Sequence, residues 1–194
     1  MLCFVNTWEL EQAQRVGAEV KRLRGKRSAA WLSEMTEVIG LKMTRQTITD
    51  LENGRRRYVT TSELTVLAAA LNTSPINLLY PGPYDREIEF LPGVQYAEFN
   101  AAQWFCGVSW RQFADAELDH RVDERSVEKV NALRDEWFQN ITPLKLWRRL
   151  FELEGSLSGL LSLGDFELYR EQIEAYRKLI ADLREQLGLS ASDD

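Results

Sequence analysis

Apolar side chains recur at helical spacing through the first eighty residues, and polar capping residues divide them into five short runs. In 11–23, Ala13, Val16, Val20 and Leu23 share one face, and the run ends among Lys21, Arg22, Arg24, Lys26 and Arg27, cations that suit a helix C-terminus. Beyond Gly25, Ser28 is placed to cap a second helix, with Trp31, Leu32, Met35 and either Val38 or Ile39 facing inward and Gly40 as its stop. Thr44 caps a third helix, 45–53, in which Ile48 and Leu51 are the only large apolar side chains, so most of its surface must face solvent or a ligand. Asn53-Gly54 ends it. Thr60 and Glu63 spell a capping box for a fourth helix carrying Leu64, Leu67, Ala68 and Leu71, and Ser74-Pro75 opens a last short turn that ends at Leu79.

Pro81, Gly82, Pro83 and Asp85 break this pattern. Ile88 and Phe90 alternate with Glu87 and Glu89 as a short strand that stops at Pro92-Gly93, inside a connector over 83–110. Tyr96, Phe99, Trp104, Phe105 and Trp110 follow as an aromatic cluster suited to a core or an interface. Beyond Arg111 the pattern is helical throughout, with a disordered end expected after Gly188. Pro143 after Thr142 reads as a helix start, Leu146, Leu150, Leu153 and Leu157 as that helix's stripe, and Gly164-Asp165 as a stop and restart. In the final helix Phe166, Tyr169, Ile173, Tyr176, Ile180, Leu183 and Leu187 alternate spacings of three and four, a heptad seam. Such a seam can meet the leucine stripe in a hairpin or meet a second chain. The expectation is both, with Phe166, Ile173 and Ile180 in the hairpin and Tyr169, Tyr176 and Trp147 nearer a partner. The predicted architecture is all-α apart from the strand, with domains at 8–82, 83–110 and 111–194.

Composition narrows the chemistry. The 194 residues, 44% hydrophobic and 28% charged, suit one or two ordinary domains. Cys3, Cys106 and the lone His120 show no CxxC or HExxH spacing, so neither a metal nor another cofactor is expected. His120 stands in the charged run Asp119-His120-Arg121, away from any nucleophile and base pattern, and no enzyme is expected. The charge-free stretch 64–84 contains Asn72, Ser74, Asn77 and three prolines, which excludes a membrane-spanning helix there. Glu9 and Glu11 precede every lysine and arginine, the wrong order for a secretory signal, so a cytoplasmic location is expected. Residues 1–80 hold 11 Lys+Arg against 8 Asp+Glu, a balance of +3, whereas 81–194 hold 13 against 22, a balance of −9. The first part suits a polyanion and the second suits solubility or a protein partner.

The stretch Met43-Thr44-Arg45-Gln46-Thr47-Ile48-Thr49-Asp50-Leu51-Glu52-Asn53-Gly54-Arg55-Arg56 resembles the third helix and following loop of the Cro/cI-like (XRE) family of helix-turn-helix repressors. With the flanking runs, the resemblance covers about residues 10–80 and implies a five-helix DNA-binding domain. Glu87-Ile88-Glu89-Phe90-Leu91-Pro92-Gly93 and Trp104-Phe105-Cys106-Gly107 also look like a group of actinobacterial members. The resemblance implies that Arg45, Gln46, Thr49 and Asp50 point into the major groove. Their chemistry suits base edges: Arg45 can donate twice to guanine, Gln46 can donate and accept at adenine, and Asp50 can accept from cytosine. Asp50 can equally hold Arg45 or Arg57 in position. Ser28, Thr44, Thr47, Arg55, Arg56 and Arg57 are the candidate phosphate contacts. The resemblance further implies a structural ion pair between Arg22 and Glu52. The expected function is a sequence-specific transcriptional regulator, a repressor that binds an operator as a homodimer. The alternative is a protein-interaction module, such as an antitoxin or an adaptor, that uses the acidic C-terminal domain.

Overall fold

A computed structural model of the chain describes residues 7–111 and 124–189. Cys3, His120 and the run 112–123 lie outside the described residues, as does the end from 190 onward. The described chain is mainly helical, with one two-stranded antiparallel sheet. It divides into two compact units, Met1–Ser109 and Trp110–Asp194.

The first unit contains α1 (Thr7–Arg24), α2 (Ala29–Ile39), α3 (Arg45–Glu52), α4 (Thr61–Ala70) and α5 (Pro75–Leu79). The caps sit where cap chemistry puts them: the hydroxyls of Ser28, Thr44, Thr60 and Ser74 accept from Trp31, Thr47, Glu63 and Asn77 backbone N–H groups, respectively. Gly40 ends α2 in the left-handed region, at φ 110°. Val16, Val20, Leu32, Ile48, Leu51, Leu67 and Leu78 are sealed in a common core. The inward face of α2 differs from the expected one. Val38 is 80% exposed and Ile39 45%, while Thr36 is fully buried. The Thr36 hydroxyl donates to the Ser33 carbonyl at 2.8 Å and accepts from the Met43 N–H at 3.0 Å, so it joins the end of α2 to the segment entering α3. That bond turns the last residues of α2 outward.

The expected connector is part of this unit. β1 (Glu87–Leu91) and β2 (Val94–Ala97) form a hairpin around Pro92-Gly93, pairing Ile88 with Tyr96 and Leu91 with Val94. The register shifts between Glu89 and Leu91, and there the Phe90 carbonyl accepts the Trp8 indole N–H at 3.0 Å. α6 (Glu98–Phe105) follows. Its first residue, Glu98, is fully buried, takes the Gly82 N–H at 3.0 Å and pairs with Arg86 at 2.8 Å. Phe90 packs edge-on against Trp104 at 5.1 Å, and Tyr80 against Phe105 at 5.9 Å. Phe90, Tyr96 and Trp104 thus pack between the hairpin and α6, while Phe99 and Phe105 are about half exposed and Trp110 falls in the second unit.

The second unit contains α7 (Glu124–Ser162) and α8 (Arg170–Gln186). Pro143 does not start a helix; it lies inside α7. A proline there removes one backbone donor. Next to it, the Thr142 hydroxyl donates to the Phe138 carbonyl at 2.7 Å. Leu150, Leu153 and Ile180 are buried between α7 and α8, with Leu157, Tyr176, Leu183 and Leu187 packed on them. Arg184 pairs with Glu154 at 2.8 Å across the two helices. The hairpin is thus present, but Phe166 is outside it and 56% exposed, and Tyr176 packs inward. The cause is the helix start: Tyr169 is the N-cap of α8, so Phe166 precedes the helix and loses the seam's phase.

Candidate nucleic-acid interface

α3 is held by its apolar face. Ile48 and Leu51 are buried, and Arg45 and Gln46 at its first turn are exposed, with Thr49 and Asp50 half-buried beside them. The four residues expected to read bases therefore lie within about 140° of the helix circumference, on the side away from Ile48 and Leu51. Arg45 makes no ion pair or side-chain hydrogen bond among the described residues. Thr49 returns its hydroxyl to the Arg45 carbonyl at 2.8 Å. Asp50 is the hub of the face: it accepts from Gln46 Nε2 at 2.9 Å and from Arg55 Nη1 at 3.4 Å. The carboxylate thus holds Gln46 and Arg55, not Arg45 or Arg57.

The phosphate candidates divide by what they touch. Ser28 and Thr44 are caps whose hydroxyls face the first turns of α2 and α3, and Thr47 exchanges a hydroxyl hydrogen bond with Thr44 at 2.8 Å. Arg55 and Arg57 are exposed, the latter 3.2 Å from Glu9. Arg56 differs. Both its Nη atoms bond Glu63, at 2.7 and 3.1 Å, with little of either side chain exposed. Glu63 also accepts from Thr60 N–H and hydroxyl. Burial raises the Glu63 pKa, but the hydrogen bonds from Arg56 and Thr60 outweigh it and hold the carboxyl below the ordinary glutamate value. Arg56 is a brace for the start of α4.

The expected Arg22–Glu52 pair is replaced by another. Arg24 makes the bidentate contact to Glu52, Nε and Nη2 each at 2.6 Å, with side-chain exposures of 14% and 6%. The Glu52 hydrogen bond raises the Arg24 pKa. Arg22 instead turns to buried Glu19, at 2.6 and 2.7 Å, which lifts its own pKa. Two residues are 200° apart around a helix, so the neighbouring arginine of the basic run, and not Arg22, faces α3.

Four residues had a weaker signal in the sequence. Gly17 sits in the interior of an otherwise strong helix, the usual mark of a close approach. Its counterpart is the backbone at Leu51. Val38 at the end of α2 and Leu41 in the segment leading to α3 are exposed apolar groups. Arg27 lies over the Trp31 ring at 4.0 Å, tying the basic run to the start of α2. No protein-family model, curated protein or solved structure matches the chain.

Proposed function

We propose that the chain is a DNA-binding transcriptional regulator, in which α2 and α3 act as a helix-turn-helix unit within a five-helix, repressor-like domain and α3 enters the major groove. The observation that carries this reading is the outer face of α3: a short helix anchored by two apolar side chains presents Arg45, Gln46, Thr49 and Asp50 together. The residue types can discriminate bases, each good bidentate pair contributing about 1 to 3 kcal/mol. Arg55 and Arg57 supply phosphate contacts after exchanging their carboxylate partners, and the acidic helical unit associates two copies so that two half-sites are read.

Selection of DNA fragments by the purified chain, followed by titration at two salt concentrations, tests it. The expected result is enrichment of one sequence and an affinity that falls steeply with salt. Failure to enrich any sequence, together with salt-independent or absent binding, overturns it and leaves the protein-interaction module, which the carboxylate on each loop arginine favours.

A further inference from the structure

α7 carries two apolar faces, and only one is used within the unit. Leu146, Leu150, Leu153 and Leu157 form the stripe whose buried members, Leu150 and Leu153, meet α8. At 100° per residue, Leu144, Trp147 and Phe151 fall on a separate face, about 120° round the helix from the stripe. All three are exposed, Phe151 to 79%. The same face continues toward the C-terminus as Gly155, Ser158, Gly159 and Ser162, and a Cβ built on either glycine meets nothing within 4 Å. Large side chains thus occupy one half of the face and small ones the other.

We infer that this face of α7 is the dimer surface and that its partner is the same face of a second copy, running antiparallel about a two-fold axis near residue 153. The inference rests on the self-association in the proposed function and names its surface. One register seats the large side chains: Phe151 opposite the second copy's Gly155, Trp147 opposite Gly159 and Leu144 opposite Ser162, with Arg148 of the same face opposite Ser158 and the reciprocal contacts generated by symmetry. Knobs meet gaps throughout, so the face is complementary to itself in this direction, whereas a parallel pairing in register stacks Phe151 on Phe151 and leaves the glycine half empty. The same register brings Trp147 to the mouth of a groove of about 670 Å³ between α7 and α8, lined by Leu157, Ser158, Leu161, Ile180 and Ala181.

Area also favours a full copy of the chain. Leu163, Phe166 and Leu168 are also exposed just past the end of α7, level in this register with the second copy's stretch before Leu144. Six such side chains at about 100 Å² each, counted on both copies, remove on the order of 1,200 Å² from water, within the range of specific interfaces. The α8 seam cannot serve instead, because Ile173 and Ile180 are already buried and Tyr176, Leu183 and Leu187 pack on the hairpin's own core.

The experiment uses the full chain. Its mass in solution is expected to be twice that of one chain at micromolar concentration, and Phe151→Glu and Gly155→Leu are each expected to halve it with unchanged helix content by circular dichroism. In a chain with Cys3→Ser and Cys106→Ser, Glu152→Cys lies beside the axis and is expected to cross-link to its copy through a short bis-maleimide. Arg134→Cys, on the same side of α7 as position 152, lies about 57 Å from its copy and is not. Cross-linking at both positions means a parallel pair and overturns the inference. A monomeric wild-type chain, or a dimer that survives both α7 variants, overturns it equally. Should Phe151→Glu fail to fold, the cross-linking pair and Gly155→Leu still decide. DNA titration of the folded monomeric variant separates this inference from the DNA reading: retained binding to a single half-site upholds the latter whatever the mass shows.

Discussion

Gly17 of α1 and Leu51 of α3 meet backbone to side-chain position: a Cβ on Gly17 would come within 2.9 Å of the Leu51 carbonyl carbon and nearer still to its oxygen. The two helices therefore cross where only hydrogen fits. Gly17→Ala must push α3 away from the core, at about 1 to 3 kcal/mol, although the same exchange at an open helical site stabilises. Thermal melting is expected to show the loss. A rise in melting temperature would mean that the helices can separate freely.

Arg24 and Arg22 should differ in degree. Arg24→Ala strands the nearly buried Glu52 carboxylate at the end of α3, and a loss of about 2 to 3 kcal/mol is expected, between the values for surface and sealed pairs. Arg22→Ala removes a largely exposed guanidinium and leaves the buried Glu19 carboxylate with the Asn77 amide, 3.3 Å away, so the denaturation midpoint should fall by less than in Arg24→Ala. Paired urea melts of the two variants check this, and equal losses would contradict the assignment.

The brace at Glu63 adds an acid-sensitive contribution. Its folded pKa is depressed, so the stability it provides is fully present above the unfolded value, about 4.3, and is lost as pH falls through the folded value. Glu63→Gln keeps an amide able to cap the helix but removes the charge facing Arg56, costing about 1 kcal/mol at neutral pH and less below pH 4. Stability measured from pH 7 to pH 3 should therefore converge for the two proteins. Parallel curves would place the depressed carboxylate elsewhere.

Asp50→Ala frees both Gln46 and Arg55 and removes a negative charge from the outer face of α3. On the proposed function, affinity for random DNA should rise several-fold and the salt slope should steepen by about one unit, while preference at the base facing Gln46 changes. Weaker binding to all sequences would instead make Asp50 an essential organiser of the face.

Helix boundaries in the first unit were legible because capping chemistry is local: Ser28, Thr44, Thr60 and Ser74 each bond an N–H three residues on, and no distant contact decides it. The outer face of α3 was legible for the same reason, its two apolar side chains leaving the rest outside. Phase and partner choice were not. Which arginine of 21–27 meets Glu52 depends on the rotation of α1 about its axis, and whether Val38 turns inward depends on the Thr36 bond to Met43. β2 has only four residues and weak alternation, so it needed β1 to become visible. Pro143 read as a boundary because local rules say so, while the helical run on either side of it carries α7 through.

α1 is fastened at its start by the Trp8 indole on Phe90 and further along by the Gly17 crossing with α3. A rod held at both places cannot slide along its axis, and the helix packed across it cannot tilt without opening the core. The outer face of α3 is therefore a stiff template. On the proposed reading, any mismatch between that template and a target sequence falls on the bending and twisting of the duplex, so base steps that no side chain touches would contribute to which sites are chosen.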